Sequence, residues 1–214
     1  MDVITENLDV YLEGMRRTAE LSVYSFAMAL VFGTLVAAMR VSPVPPLRWV
    51  SATYVELVRN TPLLVLMFLF VFGFPSLGFT YSFYTSAIVV LTAYTATFVA
   101  ETVRSGINAV ARGQVEAARS IGLTFPGLLR IVVLPQALRT VVAPLGGIFI
   151  ALIKNSSLAV VIAVPELTAA AERVGTASAR FIPAYLGAAA AYLLMTIPSG
   201  VALGWLERKV AIKR

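Results

Sequence analysis

The chain has 214 residues, of which 59% are hydrophobic and only 13% charged, with a formal net charge of +6. Its mean hydropathy of +0.86 lies outside the usual range of water-soluble domains, and the absence of both cysteine and histidine excludes disulfide frameworks, thiolate nucleophiles, imidazole bases and the usual zinc sites. The positive charge does not point to nucleic acid, because no contiguous basic stripe or RNA-binding motif accompanies it; basic residues beside apolar runs are topology determinants.

A spanning helix needs roughly 20 mostly apolar residues, since lipid offers the backbone no hydrogen-bond partners and a helix satisfies its own. The first candidate, 21–39, follows Arg16-Arg17 and an acid-rich lead of Asp2, Glu6, Asp9 and Glu13. It is longer than the core of a secretory signal, so it reads as a retained span. The second, 62–81, contains Gly73 and Pro75, and is expected to kink or to begin earlier, near Thr53. Three more follow at 84–103, 137–153 and 181–206. Between the last two, the apolar piece 158–164 is too short to cross and is expected to be a surface or re-entrant helix. The fold class is therefore all-α, with five transmembrane helices in one transmembrane domain covering 1–214.

Basic residues set the orientation. Alternate loops divide into one side carrying twelve Lys and Arg residues, from Arg40 through Arg104 and Arg139 to Arg214, and another carrying four, Arg16, Arg17, Arg173 and Arg180. Loops rich in Lys and Arg stay cytoplasmic. The N-terminus is thus expected outside, the C-terminus inside, and the loop 104–136 in the cytoplasm.

That loop has a definite internal pattern. Glu116 is expected in the first turn of a short helix, where the helix dipole favours a carboxylate, with Ala117 and Ala118 keeping the helix thin. Gly122 is placed to stop it in the left-handed conformation. Thr124 then caps a second short helix that carries Pro126 in its first turn and runs toward Pro135. The expected product is a bent helix pair, apolar at Leu128, Leu129 and Val132. It is either an amphipathic connector or a knob offered to another protein.

Other charged residues are scattered. Glu101 and Arg104 are three apart and expected to pair on one helix face, as are Glu56 and Arg59. Lys154 falls about 24 Å along a helix from Leu138, within or near the outer part of the membrane. There an ionisable group is either a partner for an anionic substrate or a side chain reaching to the headgroups, with Asn155-Ser156-Ser157 breaking the helix. The span aromatics, Tyr94 and Phe98 among them, read as packing or interface anchors. The chain has no phosphate-cradling loop, and none of its lysines precedes Ser or Thr. Any nucleotide-driven work needs a second chain, and five helices are few to enclose a polar route, which implies pairing. Two rival classes remain: an ATP-independent secondary transporter or channel, although no internal repeat is visible, and a membrane enzyme, although Glu56, Glu101 and Lys154 do not converge.

Glu116-Ala117-Ala118, then Gly122, Val132 and Leu134-Pro135 resemble the EAA loop of binding-protein-dependent ABC importers, with Val132 where the pattern usually has Ile. Arg59-Asn60-Thr61-Pro62-Leu63-Leu64, Phe98-Val99-Ala100-Glu101 with Arg104-Ser105-Gly106-Ile107, Gly113-Gln114, and Lys154-Asn155-Ser156-Ser157-Leu158 are similar to permease subunits of polar amino acid importers. The nearest likeness is to actinobacterial glutamate permease subunits. Two positions depart from the pattern, Gly147 where Asn is common and Asn155-Ser156 in place of Asp-Thr.

The resemblance implies the fold of type I ABC importer permeases in a bacterial plasma membrane, acting with a second permease subunit, two ATP-binding subunits and an extracytoplasmic solute-binding protein. ATP and Mg would be bound by the ATP-binding subunits, and no cofactor or metal by this chain. The substrate would be a polar amino acid, glutamate by preference, moved by alternating access without covalent chemistry and without nucleic acid. Glu116, Ala117, Ala118, Gly122, Leu134 and Pro135 would dock the ATPase. Lys154, Asn155 and Ser156 would line the substrate pathway.

Overall fold

A computed structural model describes residues 2–210. After a four-residue turn, α1 (Asp2–Thr5), the chain enters α2 (Leu8–Val41), which at 34 residues is about 51 Å long. It therefore extends well before the apolar run 21–39. The acid-rich lead is helical because its charges pair at helical spacing: Glu13 meets Arg16 at 2.7 Å and Arg17 at 2.9 Å, and Arg16 meets Glu20 at 3.1 Å. Pro43 and Pro45 end it, and Pro45 opens α3 (Pro45–Arg59).

The second span is not one helix over 62–81. Pro62 lacks an N–H and disfavours the helical region at Thr61. The axis breaks between α3 and α4 (Leu63–Phe68), which continues as a π turn Leu69–Gly73 and a 3₁₀ turn Phe74–Leu77. The two halves are bent by 105°, and Gly78 closes the second in the left-handed conformation at φ 85°. Among the described residues, four unbroken helices are long and apolar enough to cross a membrane, and this broken pair makes a fifth. The unbroken ones are α2; α5 (Phe83–Asn108), capped by the Ser82 hydroxyl accepting from the Thr85 N–H at 3.1 Å; the helical stack Leu129–Ile162; and α10 (Phe181–Val210). α5 runs to Asn108, so the start of the expected loop is still helix.

Between α5 and the stack lie α6 (Arg112–Ser120) and α7 (Phe125–Leu128). The stack's main body is α8 (Leu134–Asn155). Its 3₁₀ extension Ser156–Ile162 occupies the place of the expected surface or re-entrant helix over 158–164. Instead of lying on a surface, it buries Ala159, Ile162 and Val164 against Leu63, Met67 and Leu91. A further helix, α9 (Leu167–Ser178), follows and has no counterpart in the sequence reading. Its polar N-terminus depends on long-range partners. Glu166, fully buried, accepts from the N–H groups of Thr168 and Ala169 at 2.9 Å and from the Tyr192 hydroxyl at 2.7 Å.

Small residues bring the long helices together, as they do in membranes where lipid tails are no less apolar than Leu. A Cβ on Gly33 would lie 2.6 Å from Val99 Cβ and 2.7 Å from the Ala96 carbonyl, and Ala29, Ala37 and Ala100 are fully buried at the same seam. Thr92 reaches Ser25 and Glu101 reaches Arg40, so α2 and α5 run parallel. Tyr11 donates to the Ala184 carbonyl at 2.8 Å, placing the start of α10 beside the start of α2. Gly106 packs on Ala137 and Val141, so α8 runs the other way. The ends of α2, α5 and α10 therefore share one end of the bundle with α6, α7 and the start of α8, while α9 sits at the far end. Arg40, Arg104, Arg139 and Arg208 fall at the first of these ends and Arg16, Arg173 and Arg180 at the second. Lys213 and Arg214 lie outside the described residues.

Candidate docking hook and pathway face

The 104–136 segment forms a hook with its own small core. Ala118, Leu128 and Val133 are buried there, supported by Ile107, Val110, Val115, Leu123, Leu129 and Val132. α6 begins at Arg112, which puts Glu116 in the second turn rather than the first. Its carboxylate is therefore beyond the reach of the N-terminal dipole and faces outward. What holds this turn is local: the Ser120 hydroxyl donates to the Glu116 carbonyl at 3.0 Å.

The stop is the one expected. Gly122 has φ 85°, its N–H donates to the Arg119 carbonyl at 2.9 Å, and the Leu123 N–H donates to the Ala118 carbonyl at 3.1 Å. These are the two bonds of a Schellman motif, completed by the apolar contact between Leu123 and Ala118. Leu128 donates back to the Thr124 carbonyl at 2.8 Å, which marks the restart. The side chains of Phe125 and Pro126 lie outside the described set.

The second short helix does not stop at Pro135. It passes through a π turn, Leu129–Val133, in which the Leu134 N–H donates to the Leu129 carbonyl five residues back, and merges with α8. Pro135 lacks the N–H a regular ladder would use, and the wider turn absorbs the mismatch in register. The hook is thereby welded to the fourth span. Glu116, Ala117, Gly122, Leu134 and Pro135 are exposed, whereas Ala118 is buried. The structure also exposes Ile121, at 79%, on the hook's tip. The sequence reading missed it; an Ile just ahead of the stop glycine on an otherwise polar helix is the signal that was there to find.

The proposed pathway residues do not share a face. Lys154 is exposed in the last turn of α8, and Ser156 is fully buried with its hydroxyl on the Ile153 carbonyl at 2.7 Å. Only Asn155 lines a cavity, a small one of about 90 Å³ with Tyr94, Thr95, Phe98, Ile148, Ala151 and Leu152. Arg59 joins this neighbourhood instead of pairing with Glu56. Its guanidinium lies 5.4 Å from the centroid of the Phe98 ring, while Glu56 accepts from the Asn60 amide at 3.1 Å. Arg59 is the last residue of α3, and its side chain lies over the Phe98 ring of α5. The other expected pair forms: Arg104 donates to both carboxylate oxygens of Glu101 at 2.8 and 3.3 Å, and Arg40 adds a second cation at 3.2 Å.

A family of binding-protein-dependent transport system inner membrane components matches residues 29–212. The probable glutamine ABC transporter permease protein GlnM of Bacillus subtilis is 38% identical over 98% of this chain and 97% of its own. The glutamate transport system permease protein GluC of Corynebacterium glutamicum is 40% identical over 92% of both. A solved amino acid ABC transporter with histidines superposes with a TM-score of 0.93 at 32% identity over 96% of each chain. The MetNI methionine ABC transporter, at 20% identity and a TM-score of 0.71, shares the fold. Such subunits carry no ATPase site and work with a separate ATPase and a binding protein. Hook, five spans and relatives agree that the chain belongs to the permease subunits of amino acid ABC importers, multi-pass proteins of the bacterial plasma membrane.

Proposed function

We propose that this permease pairs with a second permease subunit, identical or homologous, and that two ATP-binding subunits grip one hook each. The hook end faces the cytoplasm, in keeping with its excess of Arg. Nucleotide binding and hydrolysis in the partners, where ATP and Mg sit, draw the hooks together. Because each hook is continuous with α8, its displacement is carried into the span that bears Asn155 and changes which side of the pathway is open. The observation that carries this reading is the hook's geometry: an exposed Glu116, Ala117 and Ile121 around a left-handed Gly122, rigidly backed by an apolar core. Glu116, Ala117, Gly122, Leu134 and Pro135 are the docking surface, and Ala118 shapes it from beneath.

Glutamate is the preferred substrate, supported by the likeness to GluC and by Arg59, a guanidinium poised over Phe98 that matches a carboxylate in charge and geometry. Asn155 faces the same cavity as a neutral hydrogen-bonding group, and Ser156 acts only by bending the chain there. Uptake of labelled glutamate in competition with glutamine, arginine and cystine separates glutamate from the amide and cationic substrates. Gly122→Asp tests the hook: a Cβ at this position meets nothing within 4 Å, so the fold tolerates it at a cost of about 1–2 kcal/mol for the left-handed backbone. It adds a charge and bulk at the grip. In proteoliposomes with the partner ATPase, transport should fall by more than about tenfold while membrane insertion is retained; normal transport would remove the hook from the mechanism.

A further inference from the structure

The Glu101 cluster is unused by the reading above, although its placement is unusual. Glu101, 22% exposed at its side chain, lies between Arg104 on its own helix and Arg40, 17% exposed, at the end of α2. Two guanidiniums against one carboxylate leave the clamp a net cation, and Arg40 Nη1 is buried with no hydrogen-bond partner among the described residues. Around it, α2 and α5 touch through small apolar residues, Val36, Ala37 and Ala100, and further along the seam Gly33 is seated against Val99 and Ala96, so the two helices move together. The polar clamp is the ionic tie between them at this end. Five residues further along α5 is Gly106, pressed on α8, and then the hook begins.

At its other end α2 is bonded to the far layer. Thr18 Oγ1 accepts from the Leu167 N–H at 3.1 Å, at the start of α9. Tyr11 holds the Ala184 carbonyl, and Gly14 lies so close to Ala170 that an added Cβ would approach its Cβ to 2.9 Å. The same end borders a cavity of about 630 Å³ between the start of α2 and α9. α2 thus has polar ties at both ends and a close-packed seam between them.

We infer that α2 is a push rod: the Arg40–Glu101 clamp couples it to the base of the hook, and through it hook movement reaches the α9 layer on the opposite side of the membrane. Arg40 and Glu101 are positioning residues for transport. This rests on the hook being the ATPase grip. Glu101's bonds to Arg104, at 2.8 and 3.3 Å, stay within α5, so they stabilise the cluster without transmitting anything.

The two arms can be cut separately. Arg40→Gln removes the interhelical arm and leaves Glu101 compensated by Arg104; Arg104→Gln removes the intrahelical arm and leaves the clamp. Each is reconstituted with the partner permease, ATPase and binding protein, and substrate moved per ATP hydrolysed is measured beside ATPase capture and thermal unfolding. Arg40→Gln should lower the ratio about tenfold with capture intact and hydrolysis continuing, and Arg104→Gln should change it by less than about twofold. If Arg40→Gln does not assemble, Glu101→Asp retains every charge while drawing the carboxylate back from α2, and should lower the ratio in the same direction. An unchanged ratio in Arg40→Gln, or in Glu101→Asp where that variant is needed, overturns the proposal, as does an equal loss in both arginine variants. Failure of the hook reading is distinguishable, because it shows as absent ATPase capture by the unsubstituted protein.

Discussion

The two ends of the molecule are built on opposite principles. The hook is held by neighbours in sequence: a Schellman turn, a hydroxyl four residues from its acceptor, and a core whose members fall between Ile107 and Val133. It leaves its polar residues and Ile121 outside. The far layer is held by partners far away in sequence: Thr18 on Leu167, Tyr11 on Ala184, Tyr192 on Glu166, with a fully buried carboxylate at its centre. A handle that another protein grips has to keep its shape unaided, whereas a layer that must rearrange with the bundle draws its shape from the bundle. The prediction that follows is that substitutions at the far layer cost stability first and those on the hook's surface cost coupling first.

Glu166→Ala is expected to have the largest effect on stability. It removes the cap of α9 and takes one partner from the buried Tyr192 hydroxyl, together about 2–4 kcal/mol, seen as a lower thermal midpoint in detergent. pH sharpens the test. Burial pushes the Glu166 carboxyl above the usual carboxylate range, desolvation outweighing the hydrogen bonds from Thr168, Ala169 and Tyr192. The folded chain therefore holds that proton more tightly than the unfolded chain. Its penalty is fully present above the raised pKa and is relieved as pH falls through it toward the ordinary value near ~4.3. Glu166→Gln should flatten that contribution; an unchanged pH profile of the midpoint would mean the carboxylate is not desolvated.

Gly106→Val comes next and bridges the two ends. An added Cβ would meet Val141 Cγ1 at 2.3 Å and the Ala137 carbonyl at 3.1 Å, so α5 and α8 must separate at the root of the hook. Overpacking of this kind costs about 1–3 kcal/mol, and transport should fall further than stability does, because the lever's base moves. Equal falls in both would erase the distinction between the ends. Ile121→Ser should leave the thermal midpoint within about 0.5 kcal/mol, as exposed substitutions do, yet weaken capture of the ATPase in a pull-down from detergent. Undiminished capture would take the tip out of the contact.

This contrast also explains what could be read in advance. The four unbroken spans, the left-handed Gly122 and the Glu101–Arg104 pair are local features, set by apolar run length, a C-cap glycine and i,i+3 spacing. α9 was invisible because its N-terminal residue is a Glu whose donors include a tyrosine 26 positions on. Arg59 was misassigned to Glu56 because i,i+3 spacing within α3 does not register competing partners, here the Phe98 ring on α5 for Arg59 and the Asn60 amide for Glu56. The start of α6 was placed too late since Ala111 offers no side-chain cap to mark it. The helix expected to run toward Pro135 gave no sign of merging with the fourth span, because periodicity carries no signal for a π turn.

Lys154→Met probes the smallest expected effect and the point where the two ends meet. Lys154 stands on the helix that continues from the hook, at its opposite tip, next to Asn155 but not among the residues lining its cavity. Neighbouring helix positions point about 100° apart, so a side chain beside a pathway residue is directed away from the pathway unless the helix rotates. Its aliphatic stem suits a lipid-facing or partner-facing surface with the ammonium carried to the headgroups, and Met reproduces the stem without the charge. Uptake of glutamate by the reconstituted complex should stay within about twofold of the unsubstituted rate, with the same preference among competing amino acids. A selective loss of anionic substrates would instead mean that α8 turns during transport and presents Lys154 to the carboxylate, which would make the hook's continuity with this helix a device for rotating the site rather than merely opening it.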